Sequence, residues 1–400
     1  MEHALGAPAT WQAFLEYKQA GGHLTPEDAQ ALHRFIDDRG YVPVVEKLLA
    51  GNGFAPPKKA AISKLHAEKK RIVYTYRPEE NQVLKVLTWL LQQKYDSIFA
   101  PGLYSFRPGK GAQEAIKTLT GLPELEKMHC YKLDISNYFN SVPVEKLLPR
   151  LRRTLADEPV ICAFLERLLT DPRVEDQGVL IREEKGIMAG TPISAFLANL
   201  YLSHMDHHFA GAAYARYSDD IILFAPTPER LEEYISQLHS FLAEAGLKVN
   251  REKEARCAPG EAWSFLGICY RAGQIDISPV SAEKLKAKMR RKTRALMRWK
   301  KRTGATGDRA AQAFIRIFHR KLFENPAAHE LTWARWYFPL ITTAESLKAI
   351  DAYSQSCIRY LATGKRTKAA YHFTYAQMKA LGYQSLVNRY YKHDIYSKGD

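Results

Sequence analysis

Apolar residues change rhythm along this chain, and the changes mark its elements. From residue 1 to about 55 the spacing is helical. In "LTPEDAQALHRFIDDRG" (24–40), Thr25 is placed as N-cap and Pro26 at the first helical position. Glu27 and Asp28 follow in the first turn, and Gly40 is the stop. "GNGFAPPKK" (51–59) reads as a linker by composition. From about 60 to 125 a basic strand, "KKRIVYTYRP", precedes a helix, "QVLKVLTWLLQQKYDSIF". From 126 to 280 short apolar runs alternate with helices. "HCYKLDI", "YARYSDDIILFA" and "WSFLGICY" have strand character, and "TPERLEEYISQLHSFLAEAGLKVN" is an amphipathic helix closed by Gly246. Beyond 281 the pattern is helical and basic. Such interleaving predicts a mixed α/β or α+β core, its helices on one face of a small sheet and the other face open to a ligand.

Length favours two or three subdomains over a single core. No apolar run reaches the roughly 18 residues of a membrane span, and "MEHALGAPATWQAF" has neither the basic start nor the apolar core of a secretory signal. Five scattered cysteines contain no CxxC pair, which argues against a zinc ribbon and suits a reducing cytoplasm. His204, His207 and His208 in "SHMDHHFA" read as a polar helix face, since no further metal ligand accompanies them. The net charge of +15 changes the picture more, because residues 281–302 hold eleven Lys or Arg against one Glu. One-signed concentration points to a polyanion, above all nucleic acid. A membrane surface fits less well, as Leu285, Met289, Leu296 and Trp299 make only a narrow apolar stripe.

Two adjacent acids, Asp219 and Asp220, interrupt the apolar run "YARYSDDIILFA". Carboxylates in an apolar setting cost several kcal/mol unless a cation meets them. The pair Asp37–Asp38 lies on a polar helix face and needs no such partner. Asp134 ends another apolar strand, in "YKLDISNYFNSV". Two strand ends delivering acids to one place would make an all-oxygen site for a hard divalent cation, suited to phosphoryl transfer. The alternative is that both are ordinary turn residues.

Neighbours and order extend the pattern. After "LDISNYF" come "GIMAGTPISAFLANLYL" (186–202), the aspartate pair, "GLKVNREKE" (246–254) and "WSFLGICY" (263–270), with "YSFRPGKG" (104–111) upstream. In these blocks, spanning residues 65–280, the sequence resembles the reverse transcriptases, in the prokaryotic branch of group II intron, retron and phage-defence enzymes. The resemblance implies an α+β right-hand polymerase fold with helical extensions: residues 1–58 an N-terminal extension, 59–125 fingers, 126–280 palm, and 281–400 a basic helical thumb and C-terminal region. It implies RNA-directed DNA synthesis from dNTPs on a non-coding RNA template, giving a cDNA product. Mg²⁺ is the implied cofactor, with Mn²⁺ the alternative.

Carried over by position, Asp134, Asp219 and Asp220 are the metal carboxylates and catalytic residues. Phe139 is the ring that leaves no room for a 2′-hydroxyl. Gly190, with Thr191 and Pro192, lets backbone approach template and incoming base. Lys69, Lys70 and Arg71 supply fingers charges for the triphosphate, and Arg107 contacts nucleotide or template. Lys253 is a candidate proton donor to pyrophosphate; the alternative is a solvated lysine beside Glu252 and Glu254. Phe265, Leu266 and Gly267 form a turn gripping the primer, and Arg290, Arg291 and Arg294 track a backbone from the thumb. The glycines of "GLYSFRPGKG" are wrongly spaced for a P-loop, and Gly111 stands where Ser or Thr is needed.

The chain departs from the family at Ala189, where many relatives carry Gln. It lacks the retron "VTG" triplet, and no carboxylate set for RNase H follows the thumb. "RYLATGK" and "LGYQSLVNRYY" resemble defence-associated reverse transcriptases, possibly class 2, which implies a cytoplasmic antiphage role without a membrane partner. A retron or group II intron enzyme is the rival. A polymerase-like protein that only binds RNA is the rival of another class. Oligomeric state is not set by the sequence.

Overall fold

Thr25 caps its helix as patterned, its hydroxyl accepting from Asp28 N at 3.1 Å, and the helix runs Pro26–Asp37. The computed structural model describes residues 1–21, 24–63, 70–323 and 332–397, which fall into two units, Met1–Pro259 and Gly260–Asp400. The division precedes the expected boundary at 280, because the hairpin after residue 260 packs with the C-terminal helices.

In the first unit the N-terminal helices share the main core rather than forming a separate one. Trp11, Phe14 and Leu15 are buried, Trp11 stacks on Tyr41 at 4.6 Å, and Phe14 meets Trp89 of the helix Pro78–Tyr95 edge-on. The expected linker is anchored as well. Phe54 is buried between Tyr76 and Phe164, a burial that contributes roughly 1.5–3 kcal/mol.

Among the described residues of this unit, eight strands form two sheets. β1 (Lys58–Ser63), β2 (Lys70–Thr75), β4 (Arg173–Asp176) and β5 (Val179–Arg182) make one, in the order β2-β1-β4-β5. β1–β2 and β4–β5 are antiparallel hairpins, while β1 and β4 join in parallel through two residue pairs, Lys58↔Glu175 and Lys59↔Asp176. β3 (His129–Asp134), β6 (Ala213–Tyr217), β7 (Asp220–Ala225) and β8 (Ala255–Cys257) make the other, in the order β6-β7-β3-β8. Helix Pro228–Glu244 packs on β3 and β7. Ile221 through Ala225 are buried without alternation, so neither face of β7 is open, contrary to expectation. Only the strand ends reach a cleft.

The second unit begins with β9 (Trp263–Phe265), β10 (Ile268–Arg271) and β11 (Gln274–Ile277), an antiparallel sheet in the order β11-β10-β9. The basic helix spans Pro279–Thr303, starting two residues before the patterned point. Ser278 caps it and Pro279 occupies its first position. It buries Leu285, Met289 and Leu296 and packs on helices Gly307–Leu322 and Glu345–Thr363. All five cysteines are free thiols. Among the described residues no helix is long and apolar enough to cross a membrane.

Candidate active site

β3 and β7 lie side by side with Asp134 directly opposite Asp220, and β6 enters β7 through a turn at Ser218 and Asp219. Ile135 N donates to Asp219 O at 2.9 Å, which pins that turn to the end of β3. The three acids singled out in the sequence therefore gather at one end of the sheet. Ser218 adopts a left-handed conformation (φ 61°), which costs a non-glycine residue roughly 1–2 kcal/mol. Ser105 Oγ accepts from Ser218 N at 2.9 Å, and Arg216 Nη1 donates to Ser218 O at 3.2 Å. These bonds hold the turn in place.

Burial pushes the Asp219 carboxyl above its usual range, and the Asp134 carboxylate adds to the shift. Asp220 is raised by burial too; Lys132 opposes this, while Asp219 and Asp134 reinforce it. Neither acid meets a cation within ion-pair distance among the described residues. Asp134 differs. Lys253 Nζ donates to its Oδ2 at 2.6 Å, and Asn250 Nδ2 to its Oδ1 at 3.3 Å. Burial pulls the Lys253 ammonium down, but Asp134, with Asp220 and Asp219, more than offsets this, so its pKa is raised overall. Lys253 is thus paired with Asp134 rather than with its neighbours Glu252 and Glu254.

Among the described residues no three His, Cys, Asp or Glu side chains form a ready metal cage. The donor set still fits a hard divalent cation. It is all oxygen, it carries two uncompensated half-buried carboxylates, and it opens on a cavity where water and substrate oxygens can complete the shell.

That cavity, about 1130 Å³, is lined by Asp134, Asp219, Phe139, Phe106, Arg71 and Lys253 among others. Phe139 stands at its wall, its ring 6.2 Å from Phe106, and Phe106 is 6.4 Å from Tyr217. Lys70 and Arg71 on β2 also line it. Lys69 lies outside the described residues.

Two assignments in the first unit need correction. Arg107 is not available to a ligand, since all five of its N–H donors have protein acceptors. Nε and Nη2 clasp Asp96 at 2.7 and 2.9 Å, Nη2 also reaches Asp96 O, and Nη1 serves Ala100 O and Leu103 O. It is a structural clamp on the loop following the Pro78–Tyr95 helix. Gly190 does sit at a close approach, but to protein. At φ 101°, an added Cβ would lie 3.0 Å from Val73 Cβ and Tyr74 O of β2. Tyr74 N donates to Ala189 O at 2.8 Å, and Ala189 N to Asn140 Oδ1 at 2.9 Å. The 186–190 loop is thus stitched to β2 and to the residue after Phe139, and Ala189 itself is buried.

In the second unit, Leu266 (φ 49°) and Gly267 (φ 87°) form the β9–β10 turn. Gly267 approaches Tyr337 and Ser281, where a Cβ would meet Tyr337 Oη at 3.0 Å. Phe265 is fully buried and so cannot touch a primer; it anchors the hairpin instead. Arg290, Arg291 and Arg294 are exposed on the basic helix, away from its buried stripe.

The support behind the aspartate turn escaped sequence reasoning. Arg216 is fully buried, with Nε and Nη2 on Asp206 at 2.7 and 2.5 Å, and Tyr214 Oη also donates to Asp206. Burial alone would lower the Arg216 pKa, but Asp206 raises it well beyond its ordinary value. Ser105 and Asn199 bond each other behind the turn. An arginine inside an apolar strand and an aspartate among helix histidines were the available signals. The histidines form a polar face as expected: His207 meets Ile98 O and His208 meets Gln237.

Residues 57–270 match the family model described as reverse transcriptase (RNA-dependent DNA polymerase). The retron Ec86 reverse transcriptase of Escherichia coli is 22% identical over 227 residues, covering 55% of this chain and 65% of that protein. The chain thus spans just under two thirds of this curated relative. Among solved structures, apo telomerase from Candida tropicalis aligns with a TM-score of 0.48 at 12% identity, over 83% of this chain and 60% of that one. Telomerase from Candida albicans, solved with a fragment of telomeric RNA, aligns at 0.43 and 12% identity, over 87% and 66%.

Proposed function

The chain belongs to the reverse transcriptase family, and from that premise we propose that it is an RNA-directed DNA polymerase acting at the cleft of Asp134, Asp219 and Asp220. The observation that carries the reading is the convergence of Asp134 and Asp219 from β3 and the β6–β7 turn onto a large cavity, with Asp220 directly opposite Asp134 on β7. Among the described residues Asp219 and Asp220 pair with no cation, and Phe139 lines the same cavity as Asp219. In this reading the three carboxylates hold divalent cations, Mg²⁺ in the first instance. The chemistry such ions supply when bound is charge neutralisation at the triphosphate and activation of the attacking 3′-hydroxyl.

The chain's own groups do the rest. Lys70 and Arg71 meet the triphosphate from β2. Phe139, braced by Phe106, excludes the sugar 2′-hydroxyl and so selects dNTPs. Lys253, held on Asp134 at 2.6 Å, stands ready to donate a proton to the leaving pyrophosphate. The exposed arginines of the Pro279–Thr303 helix hold a nucleic-acid backbone through its phosphates. The template is a dedicated non-coding RNA, copied into cDNA in the cytoplasm as part of defence against phage. The 22% identity to a retron enzyme and the C-terminal phrases support this finer reading.

Primer extension on an RNA template with purified wild type and Asp219→Ala tests it. Incorporation of dNTPs should require a divalent cation and vanish in the variant while RNA affinity persists. Normal synthesis by the variant, or none by wild type on any template tried, including its copurified RNA, would refute it. The second outcome would favour an RNA-binding scaffold, for which the Lys253–Asp134 ion pair is the one supporting observation.

A further inference from the structure

A second cavity, of about 460 Å³, lies on the other side of the last turn of helix Pro228–Glu244. Leu242 and Ala243 of that turn line the catalytic cleft, whereas Phe241 and Glu244 line this cavity. Its cationic wall comes from helix Val144–Thr154. Lys146, Arg150 and Arg153 follow an i, i+4, i+7 spacing, which places them on one helical face. Arg152, facing elsewhere, is clasped by Glu166. The three cations of the cavity meet no carboxylate among the described residues. Lys146 Nζ reaches only the main-chain oxygen of Glu244 at 2.6 Å, and Arg150 Nη1 that of Tyr201 at 2.8 Å. Arg153 is exposed and has no polar partner among the described residues. The facing wall is aromatic, with Phe241 half-buried and packed beside His204 at 5.6 Å.

Charge and shape together select a ligand. Guanidinium forks match the oxygens of a phosphate, and clustered cations favour a group bearing more than one negative charge. The aromatic wall offers a planar ring a surface to lie on, and the volume lies within the roughly 300–1,000 Å³ range of small-molecule sites. The Glu244 carboxylate at the rim opposes any anion, yet three cations outnumber it.

We propose that this cavity binds a nucleotide unit, with its phosphate on Arg150, Arg153 and Lys146 and its base against Phe241. The unit comes either from a free nucleotide or from one residue of a bound RNA. The proposal does not rest on the polymerase reading, since none of these side chains lines the catalytic cleft.

Photolabelling distinguishes the sources. 8-Azido-ATP probes for free nucleotide, and a short single-stranded RNA carrying 4-thiouridine probes for RNA; cross-linked peptides are mapped by mass spectrometry on wild type and Arg153→Glu. At least one probe should mark residues 146–153, 201–205 or 241–245, with a yield reduced at least about fivefold in the variant. Labelling by azido-ATP alone assigns a free nucleotide, and labelling by RNA alone assigns a bound strand. Arg153 breaks no contact when replaced, so the variant is expected to fold, and circular dichroism checks that. The proposal is overturned if both probes mark only other segments, or if Arg153→Glu labels as wild type does. Cavity labelling in a protein that never extends a primer would sink the polymerase reading and leave this site standing.

Discussion

Replacing Asp206 by Asn tests how the aspartate turn is held. The substitution keeps the size of the side chain and removes its charge, leaving the fully buried Arg216 guanidinium, beyond the former pair, with only Ser218 O at 3.2 Å and Asn199 O at 3.5 Å as acceptors among the described residues. Breaking one partner of a buried ion pair costs about 3–5 kcal/mol, because the remaining charge is stranded in a medium that solvates it poorly. A domain's whole stability is only about 5–15 kcal/mol, and for a unit of this size each kcal/mol moves Tm by roughly 2–4 °C. Asp206→Asn should therefore lower Tm by about 6–20 °C. Replacing both partners with apolar residues, Asp206→Leu with Arg216→Met, should lose less than Asp206→Asn alone, since no charge is then stranded. Thermal and urea unfolding of the three proteins measure this. A cost below about 1 kcal/mol for Asp206→Asn, the level of an exposed ion pair, would show that the pair does not brace the turn.

Asp220→Asn should abolish incorporation yet raise stability in neutral buffer. Burial raises the Asp220 pKa, so the wild-type penalty is absent below the ordinary carboxylate pKa and complete once pH passes the raised one; urea midpoints that differ in acid rather than neutral buffer would contradict it. Phe139→Ala should increase ribonucleotide use relative to dNTP in single-nucleotide extension assays, and unchanged discrimination would move the gate to Phe106 or Tyr217. Changing Arg290, Arg291 and Arg294 to Gln should flatten the log–log salt dependence of RNA affinity by roughly two to three units, with an unaltered slope removing that helix from the RNA interface.

The elements that carry chemistry were legible in the sequence because they are local. β3, the β6–β7 hairpin and the helix Pro228–Glu244 each follow a period set by a few neighbouring residues. Asp134, Asp219 and Asp220 stood out because charge is conspicuous in apolar runs. What could not be read depends on distant partners. Ser105 reaches Ser218 across 113 residues, and Lys253 reaches Asp134 across 119. Arg107 has the same charge whether it awaits a phosphate or is saturated by Asp96, and only three-dimensional placement distinguishes the two. Gly190 announces a close approach, but not what approaches. Phe265 lies in a short apolar run where neither burial nor exposure is specified by periodicity.

The parallel join between β1 and β4 bears on the order in which the chain acquires its structure. Each of its two hairpins closes locally, at small entropic cost. The seam between them must wait until residues 58–59 find residues 175–176, with all of β3 and its surrounding helices in between. Two residue pairs give little return for so long a loop. The intervening core must therefore be largely in place before the seam forms, and the β2-β1-β4-β5 sheet is completed late, after the sheet that carries the aspartates. On unfolding the sequence reverses, and the sheet parts along that seam while its two hairpins and the aspartate turn are still intact.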